Sequence, residues 1–428
     1  MADSSSPRVL YGPSDRPPLK ELVPLSIQHV FAMFGATILV PILTGLSPST
    51  ALFTAGTGTL LYILITGAKV PAFLGSSFAF IPALIAISSA YGVPYAMGGA
   101  FISGLFYLLV SFIIKKSGHN WLNTALPPVV IGSVIIVIGL NLAPTAMDMA
   151  MNDAAGNYSL HLLVIATITL LLTIIANIFA KGFFSIIPIL IGLVGGYLSA
   201  LILGFISPAW AIIDFSGVRD AAWFGMPSFA FPKFNLVASV TFAIVSLATI
   251  AEHLGDILTI SKVVGEDFYK DPGLDRTLAG DGIATLWASF WGGPPNTTYG
   301  ENIGVLALTR VYSVWVTGGA AVVAIILSFF PKFGALIQTI PNPVLGGISM
   351  LLFGTIASSG LRTVVDAGVD YEDKRNLTIS SVILVIGIGG GTLSFAMGQN
   401  ITFTLAGVAL ATLVGIALNL FLPKNNKH

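Results

Sequence analysis

The sequence predicts an all-α polytopic membrane protein with fourteen transmembrane segments, arranged as two inverted repeats of seven. Three observations indicate this class. Hydrophobic residues make up 55% of the chain and charged residues only 9%, whereas a soluble domain carries about 25% charge. Apolar runs long enough to span a bilayer occur at fourteen places. Paired motifs also recur in the same order in the two halves, as expected of a repeat.

Composition excludes several classes of function. The formal net charge is zero, which argues against nucleic-acid binding. The chain has no cysteine, so disulfides, thiolate catalysis and thiolate metal sites are excluded. Residues 1–21 are polar and contain proline, so no cleaved signal peptide is expected. The sequence also lacks a recognisable Ser-His-Asp arrangement, metal-ligand cluster or phosphate loop, and therefore predicts neither an enzyme nor a cofactor.

The apolar runs define the predicted spans and their topology. With both termini cytoplasmic, only three of the 19 basic residues (Arg219, Lys233 and Lys332) fall outside, and the other 16 fall inside. This distribution follows the positive-inside rule. The spans are expected near 24–44, 50–67, 72–90, 93–114, 124–146, 160–180 and 183–206, and then near 236–261, 277–292, 296–312, 313–331, 342–361, 376–396 and 402–422.

The two halves share three motif pairs in the same order. Because each half has seven spans, an odd number, the second copy is expected to enter the membrane upside down, with the solute site near the midplane. The pairs lie at offsets of 224, 221 and 215 residues: Gln28-His29 with Glu252-His253, Ser76-Ser77-Phe78 with Thr297-Thr298-Tyr299, and Pro128-x3-Gly132-x6-Gly139 with Pro343-x3-Gly347-x6-Gly354.

Segments 3 and 10 are expected to be broken helices. Segment 3 opens at Pro71, and segment 10 follows Pro294-Pro295, where proline removes backbone donors. Short extended pieces around 72–78 and 295–299 are expected to meet and to satisfy each other's backbone groups, as a bilayer demands. Two alternatives remain at this stage: a proline-kinked helix in segment 3 and an ordinary interhelical loop after Pro294.

Four acidic residues fall inside apolar spans: Glu252, Asp256, Asp281 and Glu301. Such groups are functional candidates because each must be paired, protonated or hydrated. Glu252 and Asp256 lie one turn apart on one helix face. Two carboxylates this close cannot easily be ionised at the same time, so the pair could carry a coupling proton. The alternative for Asp256 is a helix N-cap or a partner for Lys262. Asp281 is expected to brace a neighbouring backbone.

Histidines and aromatic rings complete the predicted site. His253 is expected to have a structural or supporting role, with proton coupling as the alternative, and His29 is interpreted in the same way. Phe78 and Tyr299 are predicted to be aromatic platforms on the two broken segments. Carboxylates that accept from N–H groups, helix-start N–H groups that donate to carbonyls, and flat rings together suit a small planar imide such as uracil.

The same residues carry a resemblance to the nucleobase–ascorbate transporters, also called nucleobase–cation symporter family 2. That family's signature is Gln, Glu or Pro, then Asn-x-Gly-x4-Thr, then Arg, Lys or Gly. The chain matches it in full from Glu301-Asn302 to Thr309-Arg310. The resemblance extends over nearly the whole chain and is strongest to the bacterial uracil permeases of the family. Glu in the first signature position goes with uracil there, Gln with xanthine or urate, and Pro with ascorbate.

The resemblance implies a division into a core and a gate domain. It also implies that Glu252, Glu301, Phe78, Tyr299 and the Gly300 backbone bind the substrate, with Ser77, His29 and Asn302 supporting them. The implied ranges are 1–21 for the N-terminal tail, 22–117 and 235–333 for the core, and 118–234 and 334–428 for the gate with the C-terminal tail.

The expected function is proton-coupled import of uracil across the cytoplasmic membrane by an elevator-like homodimer, with Glu252, Asp256 and His253 in proton coupling. Xanthine transport, or a passive channel or anion exchanger on similar repeats, is the alternative. Two residues depart from the family pattern: some uracil permeases carry histidine where Asp256 stands and tyrosine where Phe353 stands. The proton route could therefore differ from theirs, with the Glu252–Asp256 pair in its place.

Overall fold

The structure is a computed structural model that describes residues 9–396 and 402–423. The outer parts of both predicted tails, 1–8 and 424–428, lie outside the described residues, and so do Arg8, Lys424 and Lys427 of the topology count. Within the described residues the chain forms a helical bundle with two small two-stranded sheets. The prediction of a predominantly helical membrane protein is confirmed.

The helices form two series in which the equivalent broken segments fall at the same place. The first series contains α1 Leu19–Thr44, α2 Pro48–Ile65, β1 Leu74–Ser76, α3 Ile81–Tyr91, α4 Val93–Ser117, α5 Asn120–Ala125, α6 Pro128–Leu140, α7 Ala143–Met151, α8 Leu160–Phe179 and α9 Pro188–Ile206, followed by a short α10 Ser216–Asp220. The second contains α11 Leu236–Val264, α12 Leu274–Phe290, β2 Asn296–Thr298, α13 Gly300–Thr309, α14 Val314–Ser328, α15 Pro331–Gln338, α16 Asn342–Asp366, α17 Lys374–Ile388, β3 Thr392–Ala396, β4 Thr402–Ala406 and α18 Gly407–Phe421.

Many of these helices are long and apolar enough to cross a membrane. Within the described residues eight spans satisfy both conditions when α6 and α7 are taken together as Pro128–Met151, and nine do if α14 and α15, which meet at a bend of 87°, form one span. The remaining predicted segments contain shorter helices, such as the ten-residue α13. The chain is therefore a multi-pass membrane protein, while the count of fourteen spans stays a prediction.

Strands β1 and β2 pair antiparallel where the two broken segments meet. Gly75 pairs with Thr297 and Ser76 with Asn296. The 221-residue offset carries Gly75 to Asn296 and Ser76 to Thr297, so each pair maps onto the other and the register has the twofold symmetry of the repeat. The predicted mutual pairing of the extended pieces is confirmed, and a continuous kinked helix in segment 3 is excluded.

The first residue of each strand is held by a threonine from the preceding helix. Thr59 on α2 accepts from the Leu74 N–H at 2.9 Å and donates to the Leu74 carbonyl at 3.2 Å. Thr285 on α12 does the same for Asn296, at 3.2 and 3.0 Å. Both backbone groups of Leu74 and of Asn296 are thus satisfied away from water, as membrane depth requires.

Small residues bring α6 and α16 into close contact. A Cβ at Gly132 would lie 2.7 Å from the Gly360 carbonyl oxygen, and one at Gly360 would lie 2.5 Å from the Gly132 oxygen. A Cβ at Gly139 would likewise overlap the Phe353 carbonyl oxygen. Gly132 and Gly139, the two glycines of the Pro128-x3-Gly132-x6-Gly139 motif, therefore pack α6 against α16, the equivalent helix of the second copy, as small residues do in membrane bundles.

The predicted spans 13 and 14 are wrong in one respect. They are not continuous helices, because α17 ends at Ile388 and residues 392–396 and 402–406 form an antiparallel hairpin. Gly389-Gly390-Gly391 disfavours helix continuation. The strands that follow alternate residues such as Thr402, Phe403, Thr404 and Leu405, which is the period of a strand. Residues 397–401, between the strands, lie outside the described residues.

Candidate functional site

The β1–β2 crossing holds the ring of Tyr299 in place. The Tyr299 N–H donates to the Phe73 carbonyl at 3.0 Å, which continues the strand pairing. Its hydroxyl donates to the Ser76 carbonyl at 3.2 Å and lies 3.3 Å from Thr37 Oγ1 of α1. Gly75 makes room for this ring, since a Cβ there would overlap the ring carbon Cζ. The strand of one repeat thus cradles the aromatic ring of the other.

Helix α13 starts at Gly300 and presents its first turn to the site. Glu301 lies in that turn, where free N–H groups and the helix dipole favour an anion. The next residue, Asn302, is buried and its amide donates to His29 Nδ1 at 3.0 Å and to the His29 carbonyl at 3.2 Å. The predicted supporting residues His29 and Asn302 therefore contact each other and join α1 to α13.

Glu252 and Asp256 lie on one face of α11, as their spacing predicts, and both line the same cavity. The two alternatives for Asp256 are wrong. It lies inside α11, whose N-cap is Asn235, and the ammonium of Lys262 pairs with Asp366 of α16 at 3.2 Å. Lys262 lies further along α11 than Asp256, and its ammonium pairs with the carboxylate on α16 instead.

His253 and Asp281 form a buried pair behind this face. His253 Nδ1 lies 2.8 Å from Asp281 Oδ2, and Nε2 lies 3.1 Å from Thr277 Oγ1 on α12. Both side chains are fully buried. The expected backbone partner of Asp281 is thus replaced by an imidazole, because α12 packs its acid directly against α11. The structure does not bring His253 into the cavity lining.

A cavity of about 810 Å³ lies beside the strand crossing and collects the predicted substrate residues. Phe78, Glu252, Tyr299, Gly300 and Glu301 all line it. A Cβ placed on Gly300 would meet nothing within 4 Å, so the backbone there faces open space. The lining also includes residues of other helices and of the linker before α9: Ile135 of α6, Asn177 of α8, residues 185–187 of the linker, residues 188–190 at the start of α9, and Leu351, Thr355, Ile356, Ser358, Ser359 and Arg362 of α16.

The cavity is polar where the two repeats meet. Glu252 Oε2 and the hydroxyls of Thr297 and Thr298 line the cavity side, are buried and bond no protein group in the described part of the chain. The hydroxyl of Ser77, predicted to support the site, is likewise buried without a partner there, but Ser77 does not line the cavity. Phe78 packs edge-on against Phe353, with ring centroids 5.8 Å apart. Buried polar groups require partners, so a solute that offers N–H donors and a flat face would be complementary to this wall.

Several contributors were not identified from the sequence. Thr297 and Thr298 line the cavity, and their alignment with Ser76-Ser77 was a usable signal. Thr59 and Thr285 hold the strands, but threonine is common in such helices and nothing marks these two. Residues 185–190 lie near the start of the span predicted at 183–206 and carry no motif.

Comparison with known proteins identifies the family. A family model described as "Permease family" matches residues 20–395. The chain belongs to the nucleobase–ascorbate transporter family. This member is 51% identical to a uracil permease of Bacillus subtilis over 98% of its own length and 97% of the relative's. It is 53% identical to that of Bacillus caldolyticus, with 96% and 94% covered, and 45% identical to that of Escherichia coli K12, with 96% and 93% covered.

Solved structures with the same fold are more distant in sequence. The transmembrane domain of the cyanobacterial bicarbonate transporter BicA matches with a TM-score of 0.66 at 14% identity, covering 96% of this chain and all of that domain. SLC26A9 matches with a TM-score of 0.68 at 13% identity, and the match covers 93% of this chain but 64% of SLC26A9. At these identities the likeness concerns the fold alone, and it agrees with the predicted inverted-repeat architecture.

Proposed function

We propose that this family member imports uracil across the cytoplasmic membrane, coupled to protons. The observation that carries the proposal is that Glu252 and Glu301, from different elements of the second repeat, line one cavity together with Phe78 and Tyr299. Three relatives that are 45–53% identical over nearly their full length are named uracil permeases, which supports uracil as the solute.

Uracil suits the chemistry of the cavity at each point. Its ring N–H groups would donate to the carboxylates of Glu252 and Glu301, and its carbonyls would accept from N–H groups at the start of α13. Its flat face would lie against Phe78 and Tyr299. The cavity volume of about 810 Å³ is within the range of small-molecule sites and leaves space for water along the exit path.

The cavity extends toward the C-terminal ends of two helices. It follows α11 from Glu252 to Val263 and α16 from Leu351 to Arg362, where α11 ends at Val264 and α16 at Asp366. In the proposed topology, with both termini inside, these ends are cytoplasmic, so this conformation would release solute inward. The core (22–117 and 235–333) would then move against the gate (118–234 and 334–428), and the family's elevator motion and homodimer are part of the proposal.

Proton coupling would act at the Glu252–Asp256 pair. Both carboxylates line the cavity one turn apart, so protonating one relieves repulsion and offers a neutral donor or acceptor to the solute. A proton taken up with uracil outside would leave at the cytoplasmic end of the cavity. His253, whose imidazole is engaged by Asp281 and Thr277, would stabilise α11 behind the pair.

The test is uptake of labelled uracil by proteoliposomes with an imposed pH gradient, acid outside. We expect accumulation that saturates with uracil and collapses when a proton ionophore is added. Accumulation that ignores the ionophore but requires a sodium gradient would reject proton coupling and leave uracil transport intact. Asp256→Asn should retain uracil exchange between equal pools while losing accumulation driven by the gradient.

Two further arms address the alternatives. Unlabelled xanthine added in excess should leave uracil uptake unchanged; strong competition would indicate a broader nucleobase site. Uptake that does not saturate, or current without uracil, would instead favour a channel or exchanger on the same repeats.

A further inference from the structure

The segment before α1 folds back on the loop after α13. We call residues 10–16 the strap. Backbone hydrogen bonds join it to residues 310–314 in both directions: from the Leu10 N–H to the Arg310 carbonyl at 3.1 Å, from the Tyr312 N–H to the Tyr11 carbonyl at 2.7 Å, and from the Val314 N–H to the Pro13 carbonyl at 3.0 Å. Tyr11 and Val311 thereby form a parallel β-bridge.

Side chains reinforce the strap at both of its ends. Ser313 Oγ donates to the Asp15 carbonyl at 2.5 Å, and the Arg16 guanidinium lies 4.8 Å from the centroid of the Trp315 ring. The Tyr11 hydroxyl donates to Glu21 Oε2 at 2.6 Å, at the start of α1. This hydrogen bond raises the pKa of the Tyr11 phenol above its ordinary value, so the hydroxyl remains a donor.

Helix α13 needs such a restraint. It has ten residues, a length at which an isolated helix is marginal. Its N-terminal end is held by strand β2 and by the Asn302–His29 hydrogen bonds. Its C-terminal end closes at Arg310 in the left-handed region, with φ of 56°, which costs about 1–2 kcal/mol for a residue other than glycine. The strap binds the carbonyl of that residue.

We propose that the strap is a positioning element for substrate binding: by joining the C-terminal end of α13 to α1, it holds Glu301 in register with Glu252. Helices α1 and α13 are then joined at two levels, at His29 and at the strap, so α13 cannot tilt without breaking one of them. The proposal rests on the proposed function in one respect, namely that Glu301 binds uracil.

The restraint itself is tested by amide hydrogen exchange in the full-length protein and in two deletions. Deleting residues 2–16 should speed exchange of the Tyr312 and Val314 amides by at least about tenfold, because both lose their acceptors. Deleting residues 2–8 leaves the strap in place and should change neither amide. Equal exchange at both amides in all three proteins would overturn the proposal. This readout needs no uracil.

The effect on binding is tested with a matched pair of substitutions. Two N–H groups of the strap bond the Arg310 carbonyl, that of Leu10 at 3.1 Å and that of Tyr11 at 3.5 Å. Leu10→Pro removes the shorter of these hydrogen bonds, whereas Leu10→Ala keeps both; the Leu10 side chain is 63% exposed, so truncation removes little packing. Losing one such hydrogen bond should raise the KM for uracil uptake about fivefold in Leu10→Pro. The maximal rate per folded transporter and the KM of Leu10→Ala should stay at wild-type values.

The outcomes separate the two proposals. A raised KM in Leu10→Pro alone supports positioning. An unchanged KM, or a fall in maximal rate with KM unchanged, rejects it. If the wild-type protein takes up no uracil, the proposed function fails, and the exchange of Tyr312 and Val314 still decides whether the strap restrains α13.

Discussion

The two broken segments have similar backbones and different chemistry. Each contains a three-residue strand, braced by a threonine from the preceding helix and followed by a half-helix. After β1 come Phe78, a short 3-10 turn and the uncharged α3. After β2 come Tyr299 and α13, with Glu301 in its first turn.

The same asymmetry holds in the helices that precede them. Gln28-His29 on α1 corresponds to Glu252-His253 on α11, so the carboxylate again belongs to the second copy. The comparison teaches that the repeat supplies a symmetric scaffold, in which backbone groups satisfy each other, while one copy carries the charges.

The largest expected effect is a loss of uracil binding when the carboxylates of the second repeat are neutralised. Glu301→Gln and Glu252→Gln should each weaken uracil binding by at least about tenfold, since each replaces a charge-assisted hydrogen bond and turns an N–H donor toward the solute. Uracil-dependent thermal stabilisation of purified protein measures this. Glu266→Gln, the same change at an exposed carboxylate, should bind as wild type. Wild-type affinity in either site variant would remove that residue from the site.

A second effect tests whether one repeat shapes the other. Gly75→Ala places a Cβ against the Tyr299 ring, inside ordinary contact distance, and such overpacking typically costs about 1–3 kcal/mol. The unfolding midpoint without ligand should fall accordingly. Gly300→Ala is the matched control for stability, because its Cβ meets nothing within 4 Å. If both variants have the wild-type unfolding midpoint, the close packing of Gly75 against the Tyr299 ring is not confirmed and the prediction is wrong.

A smaller effect is expected from the Tyr299 hydroxyl. Tyr299→Phe keeps the ring but leaves the buried Ser76 carbonyl without its hydroxyl donor, at a cost of about 1–2 kcal/mol. The counterpart Phe78 has no hydroxyl, so the variant makes the two segments more alike. Thermal unfolding should register the loss, and Tyr158→Phe, at a ring position 61% exposed, should not. An unchanged midpoint would mean that the hydroxyl contributes nothing to the strand crossing.

The smallest expected effect on stability comes from an exposed ion pair of the second repeat. Lys262 and Asp366 join α11 to α16 with side chains 61% and 46% exposed, and such pairs contribute about 0–1 kcal/mol. Lys262→Gln should shift the midpoint only slightly, and added salt should abolish the difference from wild type. A large fall in the unfolding midpoint that added salt does not change would contradict this prediction, because it would mean that an exposed ion pair of the second copy contributes strongly to stability.

The sequence was informative wherever a local rule applied. Prolines and glycines marked both broken segments, and the offset between Ser76-Ser77-Phe78 and Thr297-Thr298-Tyr299 predicted their pairing, because period and backbone chemistry are local properties. The paired strands β3 and β4 were not predicted, because a short apolar run suits a buried strand and a helix equally well.

Composition and pattern alone determined that this chain crosses a membrane many times, and they singled out four intramembrane acids. Only the tertiary structure decided which of them share a cavity: Glu252, Asp256 and Glu301 line it, whereas Asp281 is buried against His253. The reason is geometric. A carboxylate's environment depends on which neighbouring helix its face meets, and that contact involves residues far away along the chain, as the strap on residues 310–314 also does.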